Sequence, residues 1–376
     1  MIASPQAARS VAGNSAEPSE WSTVSVVITT YNADEWLEEC LESVRTQDYP
    51  PEKVEIILVD DGSVDRSLEI AAEFTDRLFH SGRLFCEISR AQGIRHARND
   101  LVLFLDADNS LPSRDFLRRL AMPFQAEPNL VGSYPYKFQH LADDPAANRY
   151  CALFGLNDPY QFYLKSREHL MWTEATWELP GKCIDRGKYF LVEFGSDEGS
   201  LTLGAIGFLI RRSHLTDKFV QVRAPQKQRP KNAAYEGIGL GPEIEVVPAF
   251  FHSDACNAIV HSGQGKFAAV KQTVIHHHCA NSREFVGKLM RNYRHFMEYR
   301  SVRSHVWVLN SPLRLLLATL AMGSIMVPTA HAVRGFLAHR DWAWFLHPVY
   351  CLAVVLGYSV LGLREAIRSA VRRFFP

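Results

Sequence analysis

An excess of charge of either sign is missing from this sequence. Lys plus Arg and Asp plus Glu each number 41 among 376 residues, so no net field points to nucleic acid or to an acidic polymer as a partner. Paired cysteines are missing too. The seven cysteines, Cys40, Cys86, Cys151, Cys183, Cys256, Cys279 and Cys351, are scattered, odd in number and without any Cys-x-x-Cys spacing. That argues against a disulfide framework or a zinc-thiolate site, and for reduced thiols in the cytosol. Met1 to Ser22, rich in Ala, Ser and Pro, lacks the apolar core of a signal peptide and reads as a disordered leader. The longest uncharged windows are confined to the last quarter of the chain.

What is present is organised around Leu101 to Asp108, Leu-Val-Leu-Phe-Leu-Asp-Ala-Asp. Five apolar residues running into two carboxylates is the pattern of a fully buried strand that delivers its end to a site. Asp106 and Asp108 lie within reach of one shared cation. Paired carboxylate oxygens suit a hard ion, Mg²⁺ or Mn²⁺, which substrate phosphates and water complete. The plainer reading of the same residues is an acidic turn that ends a strand.

Upstream, Val24 to Thr30 reads as a strand ending in Tyr31-Asn32. Asp34 to Arg45 is a helix with Trp36, Leu37, Cys40, Leu41 and Val44 on one face, and Val54 to Val59 is a second buried strand. This order predicts a right-handed parallel unit. The second strand runs into Asp60-Asp61-Gly62-Ser63 and a helix over about Arg66 to Phe74, and ligands of open parallel sheets bind outside such carboxyl ends. Arg90 to Asn99 is a basic helical stretch whose Arg95 and Arg98 either serve a nucleotide's phosphates or stand solvated.

Further on, a helix is expected over Ser113 to Met122 and a strand over Val131 to Phe138, whereas Leu141 to Glu193 shows no clear period. Gly204 to Arg212 reads as a glycine-bearing strand that a sugar or acceptor can approach closely. Pro225 to Gly241 is either a lid over a bound donor or a plain connector. Phe250 to Asp254 opens a helix with Ser253 or Asp254 at its cap. Val270 to Ile275 is a strand running into His276-His277-His278, imidazoles of the kind that join metal sites.

Leu315 to Val333 and Trp342 to Leu363 contain no charge with His331 and His347 neutral, and both are long enough for a bilayer core of about 20 residues. Arg300, Arg303 and Arg314 precede the pair, and Arg364, Arg368, Arg372 and Arg373 follow it. By the positive-inside rule both ends face the cytosol, giving a hairpin; a soluble helical subdomain is the alternative. Ser282 to Arg303, with Phe285, Leu289, Tyr293 and Phe296 on one face, reads as an amphipathic helix on an anionic surface.

Val-Val-Ile-Thr-Thr-Tyr-Asn, Leu-Val-Asp-Asp-Gly-Ser-Val-Asp, Ala-Arg-Asn and Phe-Leu-Asp-Ala-Asp, in this order, resemble the signature of family 2 glycosyltransferases over roughly residues 23 to 300. The resemblance implies an α/β GT-A fold, Rossmann-like with a mixed, mostly parallel sheet, here followed by a C-terminal helical membrane hairpin. It implies a nucleotide-diphosphate sugar donor, a divalent ion (Mg²⁺ or Mn²⁺) and inversion at the anomeric carbon. Thr30, Tyr31, Asp60, Asp61, Arg98 and Asp106 are then expected on the nucleotide, Asp108 and His276 on the metal, and Gly204, Ala205 and Gly207 at the sugar or acceptor. Members commonly show Glu-Asp where this chain has Ser253-Asp254, which makes Asp254 the candidate catalytic base. The Gln-x-x-Arg-Trp run of processive synthases is absent, so a single-addition enzyme is expected.

The expected organisation is a leader (1–22), a catalytic domain (23–281), an interfacial helix (282–303) and two hydrophobic helices with a basic tail (304–376), placed on the cytoplasmic face of a membrane. A lipid-linked or glycan acceptor follows, with no nucleic acid. Two rivals remain. A sugar-nucleotidyltransferase would favour a glycine-rich, lysine-bearing loop where Thr29-Thr30-Tyr31-Asn32 stands. A catalytically silent membrane scaffold would have no use for Asp106, Asp108 and a base.

Overall fold

The computed structural model describes residues 21–82, 85–196, 202–204, 206–223, 246–304 and 311–374. The leader expected over residues 1–22 lies outside these except for Trp21 and Ser22, which already pack: Trp21 sits 5.1 Å from the Tyr49 ring, and Tyr49 donates to Ser22 O.

β1 (Val24–Thr30) is buried at every position, as its run of β-branched residues predicts for a strand covered on both faces. α1 (Leu37–Arg45) lays Leu37, Cys40, Leu41 and Val44 against the sheet, and β2 (Val54–Asp60) returns parallel to β1. α2 (Ser67–Ala72) and the short β3 (Leu78–His80), parallel to β2, extend the sheet on that side. α3 (Cys86–His96) then brings the chain back, and β4 (Leu101–Asp106) enters on the other side of β1. Strand order therefore reverses at β1, which opens a crevice outside the carboxyl ends of β1, β2 and β4. Register sets Thr30 beside Asp60 and Thr29 beside Asp106.

β5 (Asn109–Ser110), α4 (Phe116–Ala121) and α5 (Pro123–Ala126) lead to β6 (Gly132–Phe138). The stretch without a clear period resolves into α6 (Ala146–Phe154), α7 (Pro159–Tyr163), β7 (Lys182–Asp185) and β8 (Tyr189–Glu193). β9 (Phe208–Arg211) is shorter than the strand expected from Gly204, because Gly204 and Gly207 have φ of +112° and +63° and break the extended run. β10 (Val220–Arg223) and β11 (Val246–Ala249) pair with each other, and the lid expected between them falls outside the described residues. α8 (His252–His261) and the long β12 (Lys266–His276) complete the layer. Among the described residues the main sheet runs β3-β2-β1-β4-β9-β6-β12-β8-β7, with β9 antiparallel to β4 and β6, so the sheet is mixed. β12 ends against β5, placing His276 opposite Asn109.

The last quarter forms α9 (Ser282–Tyr299), α10 (Pro312–Gly323), α11 (Met326–Ala338) and α12 (Leu346–Phe374). Asn281 caps α9 by accepting from Glu284 N. The first hydrophobic window is not one helix: α10 and α11 meet at 72°, with Ile325 at φ 59° in the break. Trp342–Arg368 is long and apolar enough to cross a membrane. The inner faces of these helices bury Trp344, Tyr350, Cys351 and Val354 against Tyr150, Phe154, Phe285 and Leu289. In the connector before α12, Asp341 accepts from His140 Nε2 at 2.8 Å and Arg149 Nε at 2.9 Å. The outer faces leave Leu316, Leu317, Leu320, Met326 and Trp342 exposed.

Candidate active site

The three parallel strands deliver their ends to one crevice, and each loop is fixed by side chains of its neighbour. Asn32, held at φ 47° after β1, accepts from Val64 N at its side-chain oxygen and donates its own N–H to Ser63 Oγ, both at 2.9 Å. Asp60 is fully buried and accepts from Gly62 N at 2.8 Å and Ser63 N at 3.1 Å. Its carboxylate thus shapes the loop from inside. Burial opposes its ionisation, but His80, Ser63 and Gly62 outweigh this and hold it below the usual carboxylate range. Asp61 is partly exposed, with Ser81 Oγ and Ser89 Oγ donating to its Oδ1. Tyr31, at the mouth of β1, is 49% exposed, and the buried Thr30 hydroxyl has no partner among the described residues.

Asp106 receives Thr29 Oγ1 at 2.8 Å and Arg90 Nη2 at 3.0 Å. Arg90 is buried, and its other guanidinium arm lies 3.4 Å from His252 Nδ1. Arg98 is not brought to this site. α3 ends at His96, Ala97 is extended, and Arg98 N donates to Glu55 at the amino end of the sheet, one strand length (about 20 Å) from Asp106. Arg95 lines a cavity of about 510 Å³ with Arg212, Thr216 and Phe219. The arginine at the crevice is Arg90, five and eight residues before Arg95 and Arg98, which the sequence singled out.

The β5–β12 pairing brings Asp108 and His276 together, 168 residues apart in sequence. His277 N donates to Asp108 O at 2.9 Å, and His276 Nε2 lies 3.7 Å from Asp108 Oδ2. That separation is too long for a good hydrogen bond, and the two side chains are near enough that both could reach one small cation after a slight adjustment. Among the described residues no group of three His, Cys, Asp or Glu is placed to hold a metal ion. Burial opposes ionisation of Asp108, but His276, His278 and Lys288 outweigh it and hold the carboxyl below its ordinary value. The other two histidines have different tasks. His277 stacks on Trp36 at 4.0 Å, and His278, pushed well below its ordinary value by burial with His276 and Lys288 nearby, is neutral.

On the far side of Arg90 lie the acceptor candidates. A Cβ on Gly204 would stand 3.0 Å from His252 Cβ, so glycine permits both the +112° backbone and the close approach of α8. Gly207 likewise abuts Pro135, and Ala205 lies outside the described residues. Burial, with Arg90 and Arg303 beside it, drives His252 well below its ordinary value, leaving a neutral imidazole. Asp254, in the first turn of α8, is buried and paired with Arg303 at 2.5 Å, while Ser304 Oγ donates to its other oxygen at 3.2 Å. Arg90 and Arg303 are the residues the sequence did not single out for the site. Arg90 has a local signal only in lying within a basic helix, and Arg303 has none.

The mixed, mostly parallel sheet with acidic loops at its switch point has the architecture of the GT-A fold. Residues 25–183 match the model of glycosyl transferase family 2. An uncharacterised glycosyltransferase, EpsJ of Bacillus subtilis, is 34% identical over 119 residues, covering 30% of this chain and 34% of its own. A dolichyl N-acetyl-alpha-D-glucosaminyl phosphate 3-beta-D-2,3-diacetamido-2,3-dideoxy-beta-D-glucuronosyltransferase of Methanococcus voltae is 30% identical over 120 residues, 29% of this chain and 37% of its own. The chain thus spans about a third of the length of these curated relatives. The mannosyltransferase PcManGT of Pyrobaculum calidifontis, solved with GDP-Man and Mn²⁺, covers 93% of this chain and 89% of its own at 15% identity and a TM-score of 0.50, a likeness of fold.

Proposed function

We propose that the protein is an inverting, metal-dependent glycosyltransferase that moves one sugar from a nucleotide-diphosphate donor to a hydroxyl or phosphate of a membrane-linked acceptor. The observation that carries this is the convergence of Asp61, Asp106, Asp108 and His276 at the strand-order reversal. Tyr31 and Asp61 line the nucleotide end. Arg90 fixes Asp106 from behind, and the Asp108–His276 pair fits Mg²⁺ or Mn²⁺. Such an ion neutralises the charge that develops on a diphosphate leaving group.

The chain's own work is to orient the donor and to move a proton. For a hydroxyl acceptor, Asp254 takes the proton as the acceptor oxygen bonds to the anomeric carbon. The bond to the nucleoside diphosphate breaks on the opposite face, and the diphosphate departs with the electron pair. General-base help of this kind contributes about 10² to 10⁴ in rate. Asp254→Asn is expected to abolish transfer while leaving donor binding intact; normal turnover would remove Asp254 from the mechanism.

A membrane setting is supported by the outward apolar faces of α10, α11 and α12 with Arg314, Arg334 and Arg364 among them. A through-going hairpin would carry the connector across a core of about 30 Å. The ties of Asp341 to His140 and Arg149 favour helices that lie on the cytoplasmic leaflet instead.

A further inference from the structure

We propose that Arg303 is the positioning residue for Asp254, so that the catalytic centre is completed by the segment that follows the amphipathic helix α9. The proposal rests on Asp254 being the base. The expected catalytic domain, ending at residue 281, would then lack a working part.

Asp254 and Arg303 are 49 residues apart, yet their side chains are 5% and 13% exposed. A carboxylate taken out of water needs a counter-charge and hydrogen bonds to stay there. Arg303 supplies both. Its Nε donates to Asp254 Oδ2 at 2.5 Å and its Nη2 to Ser253 Oγ at 2.9 Å, so one planar fork grips two successive residues of the helix start. The guanidinium carbon lies 4.4 Å from the Phe251 ring centroid, which fixes the fork's plane from a third side.

The arginine is itself anchored. Tyr299, the last residue of α9, packs 4.7 Å from Phe85 and 6.3 Å from Phe251, and Val302 N donates back to Tyr299 O. The two carboxylate oxygens are therefore treated differently. Oδ2 is held by a fixed charged donor. Oδ1 is met by Ser304 Oγ, a hydroxyl that can rotate away or accept in turn. By holding Oδ2, Arg303 sets where the carboxylate points. His252, between Arg303 and the Arg90–Asp106 pair, connects this half of the site to the donor half.

The test uses the full-length protein with Mn²⁺ and the nucleotide sugar it hydrolyses fastest, with water as the acceptor and release of nucleoside diphosphate as the readout. Arg303→Ala is expected to lower kcat about 10²-fold, the scale of a lost general base, with the donor KM unchanged. Tens of millimolar guanidinium ion should restore much of the rate in Arg303→Ala and none in Asp254→Asn. Arg303→Lys, which keeps the charge without the fork, should fall between wild type and Arg303→Ala, and it carries the test if the alanine variant does not fold. Wild-type kcat in Arg303→Ala, or a loss that guanidinium does not reverse in a folded variant, overturns the proposal while leaving the base reading standing. Normal turnover of Asp254→Asn overturns the base reading and the proposal with it.

Discussion

Arg90 and Asp106 form an ion pair of 3.0 Å at the strand-order reversal, with the arginine side chain 4% exposed and the aspartate 32% exposed. The pair is lopsided: a charge hidden in the protein steadies one at the mouth of the crevice. Removing the buried member of such a pair costs roughly 2–4 kcal/mol, the lower end because Asp106 is partly solvated. Arg90→Ala should lower the thermal midpoint and donor hydrolysis together. Arg98→Ala, at the amino end of the strands, should change donor hydrolysis by less than about twofold, as expected of a surface substitution.

Asp108 and His276 make a second prediction. With two protein ligands and the rest of the shell from substrate, nucleoside diphosphate and Mn²⁺ should bind cooperatively. Calorimetry should show tight binding of the diphosphate with the ion and weak binding after chelation. Asp108→Asn should remove the metal dependence and most of the affinity, and His276→Ala should weaken both. Equal affinity with and without the ion would remove this pair from the donor site.

Asp60 sets an acid limit on stability. Its folded value lies below the usual carboxylate range, so its contribution is present above the unfolded value of about 3.9 and is lost as pH falls through the folded one. Denaturant unfolding between pH 6 and pH 3 should show stability falling on the acid side. Asp60→Asn should flatten that slope and be less stable at pH 7, because the two backbone N–H groups at Gly62 and Ser63 lose a charged acceptor.

The outward face of α10 and α11 should bind lipid. The full chain should float with anionic vesicles, and replacing Leu317, Leu320 and Met326 by serine should release it without lowering its unfolding midpoint. A shift in oligomeric state with no change in flotation would instead assign the face to a second copy of the chain.

The buried strands were legible because a strand covered on both faces leaves an unbroken aliphatic run, and Leu101 to Asp106 is buried from Leu101 to Leu105. The meeting of Asp108 with His276 could be anticipated because both stand at strand ends. Arg90 could not be told from Arg98, since a basic helix does not announce which face it buries or where it stops, and α3 begins and ends earlier than its composition suggests. Arg303 reaches Asp254 across 49 residues with no periodicity to mark it. The C-terminal windows have the composition of spans, yet one side of them packs on Tyr150 and Phe285, and composition does not show that a helix has two different sides.

The most direct measurement is nucleoside diphosphate release by the purified full-length protein from a panel of nucleotide-diphosphate sugars, with Mn²⁺ or Mg²⁺ and with chelator. At least one donor is expected to be turned over, turnover is expected to stop with chelator, and Asp108→Asn is expected to abolish it in a protein that still folds. A folded protein that neither binds nor turns over any member of the panel in the presence of the ion would contradict the proposed function.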